Sequence, residues 1–473
     1  MELRNQHIEI PDYPESNPFE NDLLQREQYA NVLTSILANY KKGFVLAINN
    51  EWGTGKTTFV KMWMGYLKQK SYETIYFNAW ENDFQDEVII AILSELKKIK
   101  GNSGKLFARV LEKVLPLLKN TGVELFKHAM GKITGEKTVE IIAEGLGEYS
   151  IASLQKGLDD FEDKKNSIKE FREVLTEFVQ SIDNDNPIVF IIDELDRCRP
   201  NYAVEVLEKM KHLFSVEGVV FALSIDKIQL GHAIRGVYGS EYINSDEYLR
   251  RFIDLEFSLP KPDVKDYTMS LITHFGLHVY YTNAERQKHR EFQNDMDALI
   301  FMLDLIQYSC SPTLRQLEKI LGLFSIVVKS LKFNQYANPM CVIYIILLKI
   351  MGDGGYYEKL VSRKLSLQEI LDKTVELLYP IHEESKHGYF IWFQAEMVFF
   401  YWKYLYEKDK SVVLYEGELN DESFEIKVDG KADNEYDSLK SSIGGLLSDY
   451  HLRRRINLLS HIIPHIELTK IVT

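Results

Sequence analysis

The sequence has few cysteines, no long apolar run and no excess of positive charge. Its three cysteines, Cys198, Cys310 and Cys341, are far apart and lack metal-ligand spacing, so we expect neither a disulfide framework nor a zinc site. With 56 Lys and Arg against 70 Asp and Glu, the net charge is −14, so the chain lacks the global basic field of a nonspecific nucleic-acid-binding protein. Nucleic acid is therefore not indicated as a partner, and the cysteine usage favours a cytoplasmic location.

No segment is long and apolar enough to predict a membrane span. Residues 340–348 are too few, and the stretch 389–405 is interrupted by Gln394, Glu396 and Lys403, whereas a spanning helix needs about 20 apolar residues. The N-terminus lacks the apolar core of a secretory signal. We expect a soluble chain without a signal peptide or a transmembrane segment.

The chain of 473 residues has the composition of a globular protein, with 45% hydrophobic and 27% charged residues. Short apolar runs alternate with segments of helical spacing, which predicts an α/β fold with a parallel sheet. A long, mostly helical and highly charged insert separates the second and third strands. The predicted strands are Gly43–Asn49, Thr74–Asn78, Pro187–Asp193, Gly218–Ser224 and Phe252–Leu259, and the predicted helices between and before them include 21–40, 57–69 and Val204–Phe214.

The residues after the first predicted strand resemble a phosphate-binding loop, G-x-x-x-x-G-K-[ST]. In such a loop the backbone N–H groups cradle phosphate at a helix N-terminus, the lysine reaches the outer phosphates and the following hydroxyl binds Mg²⁺. Lys56 and Thr57 fit the last two roles. Asn50 replaces the first glycine, and we attribute this to the tolerance of Asn for left-handed backbone angles. The predicted nucleotide-binding residues are Asn50, Glu51, Trp52, Gly53, Thr54, Gly55, Lys56, Thr57 and Thr58.

A second motif, Ile188 to Glu194, is an apolar run that ends in two acids. Ligands of open α/β sheets bind at the carboxyl ends of the strands, and this strand would deliver both carboxylates there. Asp193 is predicted to bind Mg²⁺ together with Thr57. Glu194 is predicted to activate the attacking water as a general base.

Two further features leave alternatives open. The fourth strand ends at Ser224-Ile225-Asp226. Either a polar residue there contacts the γ-phosphate, or Asp226 is the N-cap of the helix that follows. Several arginines could neutralise transition-state charge, and for each one a surface ion pair is the competing interpretation. The candidate arginines are Arg197, Arg199, Arg250, Arg251 and Arg315, of which Arg251 joins Glu194 and Lys56 in the predicted catalytic set.

The C-terminal part predicts more helix, with a small β-hairpin in 412–428. Ten aromatic residues lie between Tyr389 and Tyr406. Aromatic residues at this density stack bases, fill a partner interface or bury a helix on several faces, and we favour the buried helix because only Lys403 adds positive charge.

Together these residues resemble the KAP family of P-loop NTPases. Trp52 inside the loop and the triplet Asn78-Ala79-Trp80 are the more specific parts of the likeness. The resemblance implies a sheet in which another strand separates the loop strand from the acidic strand. Many family members carry transmembrane helices between these motifs, but the insert here is too charged to span, and soluble bacterial members are associated with phage exclusion. The likeness is carried by residues 22–33, 49–59, 75–81, 188–200 and 219–234, the last followed by 247–260.

From these observations we expect a Mg²⁺-dependent ATPase that acts as a molecular switch, with ATP and Mg²⁺ as cofactors. We expect the chain to act through a protein partner or through homo-oligomerisation, and we expect no metal cluster. The alternative is a noncatalytic nucleotide-binding interaction protein. The predicted domains are an N-terminal arm at 1–20, an NTPase core at 21–260 with its insert at about 96–180, a lid-like helical region at 261–380 and a C-terminal helical region at 381–473.

Overall fold

The computed structural model divides the chain into two compact units, one ending at residue 262 and the other beginning at Asp263. This division lies close to the predicted end of the NTPase core, and the further predicted boundary at 380 stays a prediction. Residues 115–160 of the predicted insert and most of the predicted N-terminal arm lie outside the described residues. The structure describes residues 17–40, 43–84, 88–96, 104–114, 161–182, 186–211, 216–261, 263–352, 354–378, 384–419, 421–430, 435–449 and 457–468.

The N-terminal unit alternates strands and helices, as predicted. A short 3₁₀ turn, Leu195–Arg197, follows the third strand. In chain order the elements are α1 (Glu27–Asn39), β1 (Val45–Asn49), α2 (Lys56–Gln69), β2 (Thr74–Asn78), α3 (Val88–Leu96), α4 (Gly104–Val114), α5 (Phe161–Gln180), β3 (Ile188–Asp193), α6 (Pro200–Met210), β4 (Val219–Ile225), α7 (Lys227–Tyr238), α8 (Ser245–Leu249) and β5 (Leu255–Ser258).

The five strands form one parallel sheet in the order β2-β3-β4-β1-β5. This confirms the predicted α/β fold class. Strand β4 pairs with β1 on one side and with β3 on the other, so it separates the loop strand from the acidic strand. The connections between parallel strands are helical crossovers, which cover both faces of the sheet.

Successive strand residues face opposite sides of the sheet, and each side has its own core. On one side, Leu46 and Ile48 of β1 pack with α1 and α2, where Trp63 is fully buried. On the other side, Val45 and Ala47 pack with residues from α3 to α7. The loop between β1 and α2 is therefore anchored at both ends by buried elements.

The starts of two helices differ clearly from the sequence prediction. Helix α1 begins at Glu27 rather than near residue 21, because residues 17–26 form turns in which the Asp22 carboxylate accepts hydrogen bonds from the backbone of Arg26 and Glu27. Helix α6 begins at Pro200 rather than at Val204, and proline is favoured at a first helical position.

The C-terminal unit is mostly helical and includes the predicted hairpin. Strands β6 (Tyr415–Glu416) and β7 (Glu425–Ile426) pair antiparallel. The helices are α9 (Lys265–His274), α10 (Leu277–Tyr281), α11 (Ala284–Gln287), α12 (Asp295–Cys310), α13 (Leu314–Lys329), α14 (Pro339–Met351), α15 (Tyr356–Val361), α16 (Leu367–Leu378), α17 (Glu384–Lys408), α18 (Glu435–Ser448) and α19 (Leu458–Leu468), and a further 3₁₀ turn spans Arg290–Phe292.

The aromatic stretch lies on α17, and six of its ten aromatic side chains are buried: Phe390, Phe393, Phe399, Phe400, Tyr401 and Tyr404. Its predicted role as a buried helix is thereby confirmed. Among the described residues, no helix combines the length and the low polarity that a membrane span requires.

Candidate functional site

The glycine loop joins β1 to α2, and the helix begins at Lys56 itself. Gly53 and Gly55 adopt φ angles of 80° and 83°, which glycine reaches without the steric conflict of a Cβ atom. The first turn of α2 therefore starts directly after two residues that the loop conformation requires to be glycine. The N–H groups at such a helix N-terminus favour an anionic ligand.

Asn50 has a different role from the one predicted. It is absent from the residues with positive φ, so a left-handed backbone does not explain the asparagine. Its side-chain amide instead pairs with the backbone of Leu259 just after β5: Nδ2 donates to the carbonyl at 2.9 Å, and Oδ1 accepts from the N–H at 2.7 Å. The asparagine thus fastens the start of the loop to the neighbouring strand connection.

The Lys56 ammonium turns back onto the loop that precedes it. Its Nζ donates to the carbonyls of Asn50 and Glu51, the second at 3.1 Å, and the side chain is buried. Burial lowers the pKa of Lys56, while the nearby carboxylates of Asp196, Asp226 and Asp193 oppose that shift. Lys56 is thus a desolvated cation that faces several acids across the site.

Asp193 ends β3 and is almost fully buried. One carboxylate oxygen accepts from the Tyr76 hydroxyl at 3.0 Å, and the other accepts from the backbone N–H of Glu194 at 3.0 Å. Burial, together with the Asp193 charge, raises the pKa of Tyr76, so the hydroxyl remains a donor. Thr57, the other predicted Mg²⁺ ligand, lies in the first turn of α2.

Glu194 has both carboxylate oxygens engaged. Oε2 accepts from Asn78 Nδ2 at 3.2 Å, and Oε1 pairs with Arg197 Nη1 at 2.7 Å. Its φ of 62° is unusual for a residue other than glycine, and such strain is common at functional sites. Arg197 also lies over the Trp80 ring, 5.9 Å from its centroid.

Trp52 connects the glycine loop to the segment after β3. Its indole N–H donates to a carboxylate oxygen of Asp196, while the ring remains partly exposed. Burial raises the pKa of Asp196, and its other oxygen, Oδ1, has no hydrogen-bond partner among the residues that the structure describes. The tryptophan in the loop therefore bridges the two motifs that the sequence pointed to separately.

The structure decides part of the question about the end of β4. The Asp226 carboxylate caps α7 by accepting from the backbone N–H groups of Ile228 and Gln229, which confirms the capping interpretation. Ser224 pairs with Asp193 across the sheet, and its buried hydroxyl has no hydrogen-bond partner within the described part of the chain.

Only some of the candidate arginines lie near the motifs. Arg197 contacts Glu194, as described, and Arg199 pairs with Asp83 at 2.8 Å. Arg250 pairs with Glu247 on the surface, and Arg315 belongs to the C-terminal unit.

Arg251 lies near the amino end of β5, away from the loop of its own chain. Asp254, three residues later, exchanges hydrogen bonds with Val45 at the start of β1. The loop begins after Asn49, at the other end of that strand, about 13 Å further along.

Two residues at the site were missed by the sequence analysis. Tyr76 was recognised only as part of a strand, although alternation along β2 places it on the same face as Asn78. Arg26 is buried and donates from Nη1 to the carbonyl of Gly55 at 3.3 Å. A single arginine at the start of an amphipathic helix gives no signal of such a contact.

We predict that Asn50→Gly lowers the free energy of unfolding by about 1–3 kcal/mol, although it restores the usual glycine of the motif. Two hydrogen bonds to Leu259 are lost, and each contributes roughly 1 kcal/mol. Asn50→Ala should be destabilising to a similar extent. Denaturant titrations of both variants check this, and a stable glycine variant beside an unstable alanine variant would instead support a backbone role for Asn50.

The family model described as the KAP family P-loop domain matches residues 26–331 of the chain. Among curated proteins, the Phage T7 exclusion protein of Escherichia coli (strain K12) is 21% identical over 238 residues, which is 47% of this chain. The matched part is 31% of that relative, so this chain spans about a third of its length.

Two solved chains from Aeropyrum pernix are similar at low TM-scores. The ORC1 protein in complex with DNA is 9% identical, with 92% of this chain and 95% of that chain covered and a TM-score of 0.33. The ORC2 protein in ADPNP-ADP complexes is 13% identical, with 93% and 97% covered and a TM-score of 0.34. Scores this low carry no argument, whereas the family match extends over more than half of the sequence. The chain belongs to the KAP family of P-loop domains.

Proposed function

We propose that the chain binds and hydrolyses ATP with Mg²⁺ and acts as a nucleotide-dependent switch. One observation carries the proposal: a loop with two glycines at positive φ opens a helix at Lys56, at the same edge of the sheet as Asp193 and Glu194. This arrangement combines a phosphate cradle with a carboxylate that can accept a proton from water.

Lys56 is suited to neutralise the outer phosphates. Its ammonium now uses loop carbonyls as acceptors, and phosphate oxygens would be stronger acceptors for a buried cation. The nearby Asp196 and Asp193 keep the lysine protonated against the effect of burial. The lysine therefore contributes to ground-state binding as well as to stabilisation of the transition state.

Thr57 and Asp193 supply the oxygen ligands that Mg²⁺ prefers. The donor set fits because Asp193 is a buried carboxylate whose present partners are the hydroxyl of Tyr76 and a backbone N–H. When bound, Mg²⁺ would neutralise charge on the phosphates. Acceptance of the proton from water is proposed for a side chain of the protein itself.

Glu194 is the proposed general base, and its present contacts support a switch rather than a fast enzyme. One carboxylate oxygen accepts from Asn78 and the other pairs with Arg197. Each oxygen keeps a second lone pair that can accept from a water, and opening of the Arg197 pair would leave the carboxylate charge free to act on that water. Hydrolysis would then be slow and coupled to movement around the carboxylate.

We predict that Lys56→Ala abolishes or strongly weakens ATP binding and leaves the fold intact. The variant removes a charge that the bound phosphates need, and charge-assisted hydrogen bonds contribute about 1.5–3 kcal/mol each. Isothermal calorimetry measures the affinity. Lys68→Ala, which removes an exposed lysine from the same helix, serves as the control and should bind like the parent. Parental affinity in Lys56→Ala would contradict the loop assignment.

We predict that Glu194→Gln retains ATP but loses hydrolysis by a factor of about 10²–10⁴, the usual contribution of a general base. Glutamine is almost isosteric and can keep polar contacts, but it cannot accept the proton. Phosphate release, measured with Mg²⁺ and with EDTA, reports turnover. Nucleotide affinity should change little, because the lost interaction operates mainly in the transition state.

The same variant tests the switch. Any ATP-dependent assembly should become long-lived in Glu194→Gln, which native mass measurements with and without ATP would detect. If parent and variant both bind ATP and neither releases phosphate, the chain is a noncatalytic nucleotide-binding protein. Parental turnover in Glu194→Gln would instead make Asp196, another acid at the site, the next candidate for the base.

The similarity to the Phage T7 exclusion protein supports a setting in anti-phage defence. Only about a third of that relative is matched, so the biological role is proposed from this matched part alone. Among the residues described, the site offers phosphate-binding and proton-accepting groups. The effect on the phage would then be produced by assembly of the chain or by a protein partner.

We predict that Escherichia coli expressing the chain resists T7-like phage in a manner that depends on the nucleotide site. Efficiency of plating should fall for cells with the parental chain and return to the empty-vector value with Lys56→Ala. Lys68→Ala should protect like the parent. Equal plating on parental and empty-vector cells, with the protein present by immunoblot, would argue against this setting.

A further inference from the structure

Arg26 places a buried guanidinium against the glycine loop. Its side chain is only 2% exposed, and it directly precedes α1. The preceding turn is fixed by Asp22, whose carboxylate accepts from the backbone N–H groups of Leu24, Arg26 and Glu27. The carboxylate of Asp22 thus serves the backbone, and the guanidinium extends inward to the loop.

The Arg26 guanidinium has more N–H donors than there are acceptor atoms bonded to it. It carries five N–H groups. Nη1 donates to the carbonyl of Gly55 at 3.3 Å, whereas Nε and Nη2 are buried without a hydrogen-bond partner among the described residues. The Gly55 carbonyl also accepts from the N–H of Phe59 in the first turn of α2. Arg26 therefore contacts the loop at the point where the phosphate-binding helix begins.

A buried cation with unpaired donor groups is unfavourable, even when a carboxylate such as that of Asp22 acts on its charge. Burial lowers the pKa of Arg26 to about 10, so the group is still charged at neutral pH. Leaving charged donors unpaired in the interior is destabilising, and a buried unsatisfied group in a native protein calls for an explanation. Here the two unpaired nitrogens lie beside a loop built for phosphate, which identifies an anionic oxygen as the missing acceptor.

We propose that Arg26 is a nucleotide-binding residue that donates from Nε and Nη2 to oxygens of the inner, α or β, phosphate. The assignment rests on the proposed function of the site. Loop N–H groups of this kind cradle the inner phosphates, and Gly55, which Arg26 contacts, belongs to that loop.

The charges around the two cations separate their roles. The carboxylates of Asp196, Asp226 and Asp193 oppose the lowering of the Lys56 pKa by burial. Arg26 is influenced instead by Asp22 and Tyr29, at the start of α1. Different side chains thus act on the two cations, and we expect Arg26 to have a role separate from that of Lys56.

The test is Arg26→Met, measured by calorimetry with ATP and with ADP and by the melting temperature without nucleotide. We expect the affinities for ATP and ADP to fall equally, by about 10- to 100-fold, the effect of losing one or two charged hydrogen bonds. The nucleotide-free melting temperature should not fall, because an apolar side chain of similar length replaces a buried, unsatisfied charge. Lys68→Met, an exposed lysine of α2, is the charge-matched control and should behave like the parent.

Each other outcome overturns the proposal in a distinct way. Unchanged affinity together with a lower nucleotide-free melting temperature would make Arg26 a structural residue. A loss confined to ATP would place the contact at the γ-phosphate. If the parent itself binds neither nucleotide, the proposed function fails, whereas a parent that binds both and a variant that binds equally well would refute only the role of Arg26.

Discussion

Parallel pairing of β1, β4 and β3 in one register holds the two motifs of the site together. Asn49 pairs with Ile225, and Asp193 pairs with Ser224, so the loop strand and the acidic strand end within one residue of the same level of β4. About 140 residues separate these motifs in the sequence, and only this register brings them to a common edge. Because both faces of the sheet are buried, a slip of one residue would exchange the two cores.

The site also contains two buried cations whose side-chain hydrogen bonds go to carbonyls of the glycine loop. Lys56 uses two loop carbonyls, and Arg26 uses one. Both side chains are buried, and burial lowers both pKa values. A nucleotide that supplies phosphate oxygens would relieve both desolvated charges at once, so the same features that destabilise the nucleotide-free site would strengthen binding. This is the physical basis for expecting nucleotide to stabilise the N-terminal unit.

The sequence allowed the sheet to be predicted well, because its strands are short apolar runs with polar ends. The prediction for β2 matches the structure, and β1, β3 and β4 differ by one or two residues. The starts of α1 and α6 were missed where a turn or a proline determined the first residue. The explanation for Asn50 was wrong because its partner, Leu259, is remote in sequence. Arg26 and Tyr76 were missed for the same reason: each acquires its role from a contact across the fold.

The contacts of Glu194 connect the proposed chemistry to the surrounding structure. Asn78 donates to Glu194 and also accepts, through Oδ1, from the backbone N–H groups of Trp80 and Glu81, at 3.1 and 3.2 Å. A few residues further on, Asp83 pairs with Arg199, at the start of α6. Release of Glu194 would thus disturb a segment that joins the end of β2 to α6 through directly contacting groups. If the proposed switch operates, such a connection would give the nucleotide state a physical route from the end of β3 to α6, where a partner could detect it.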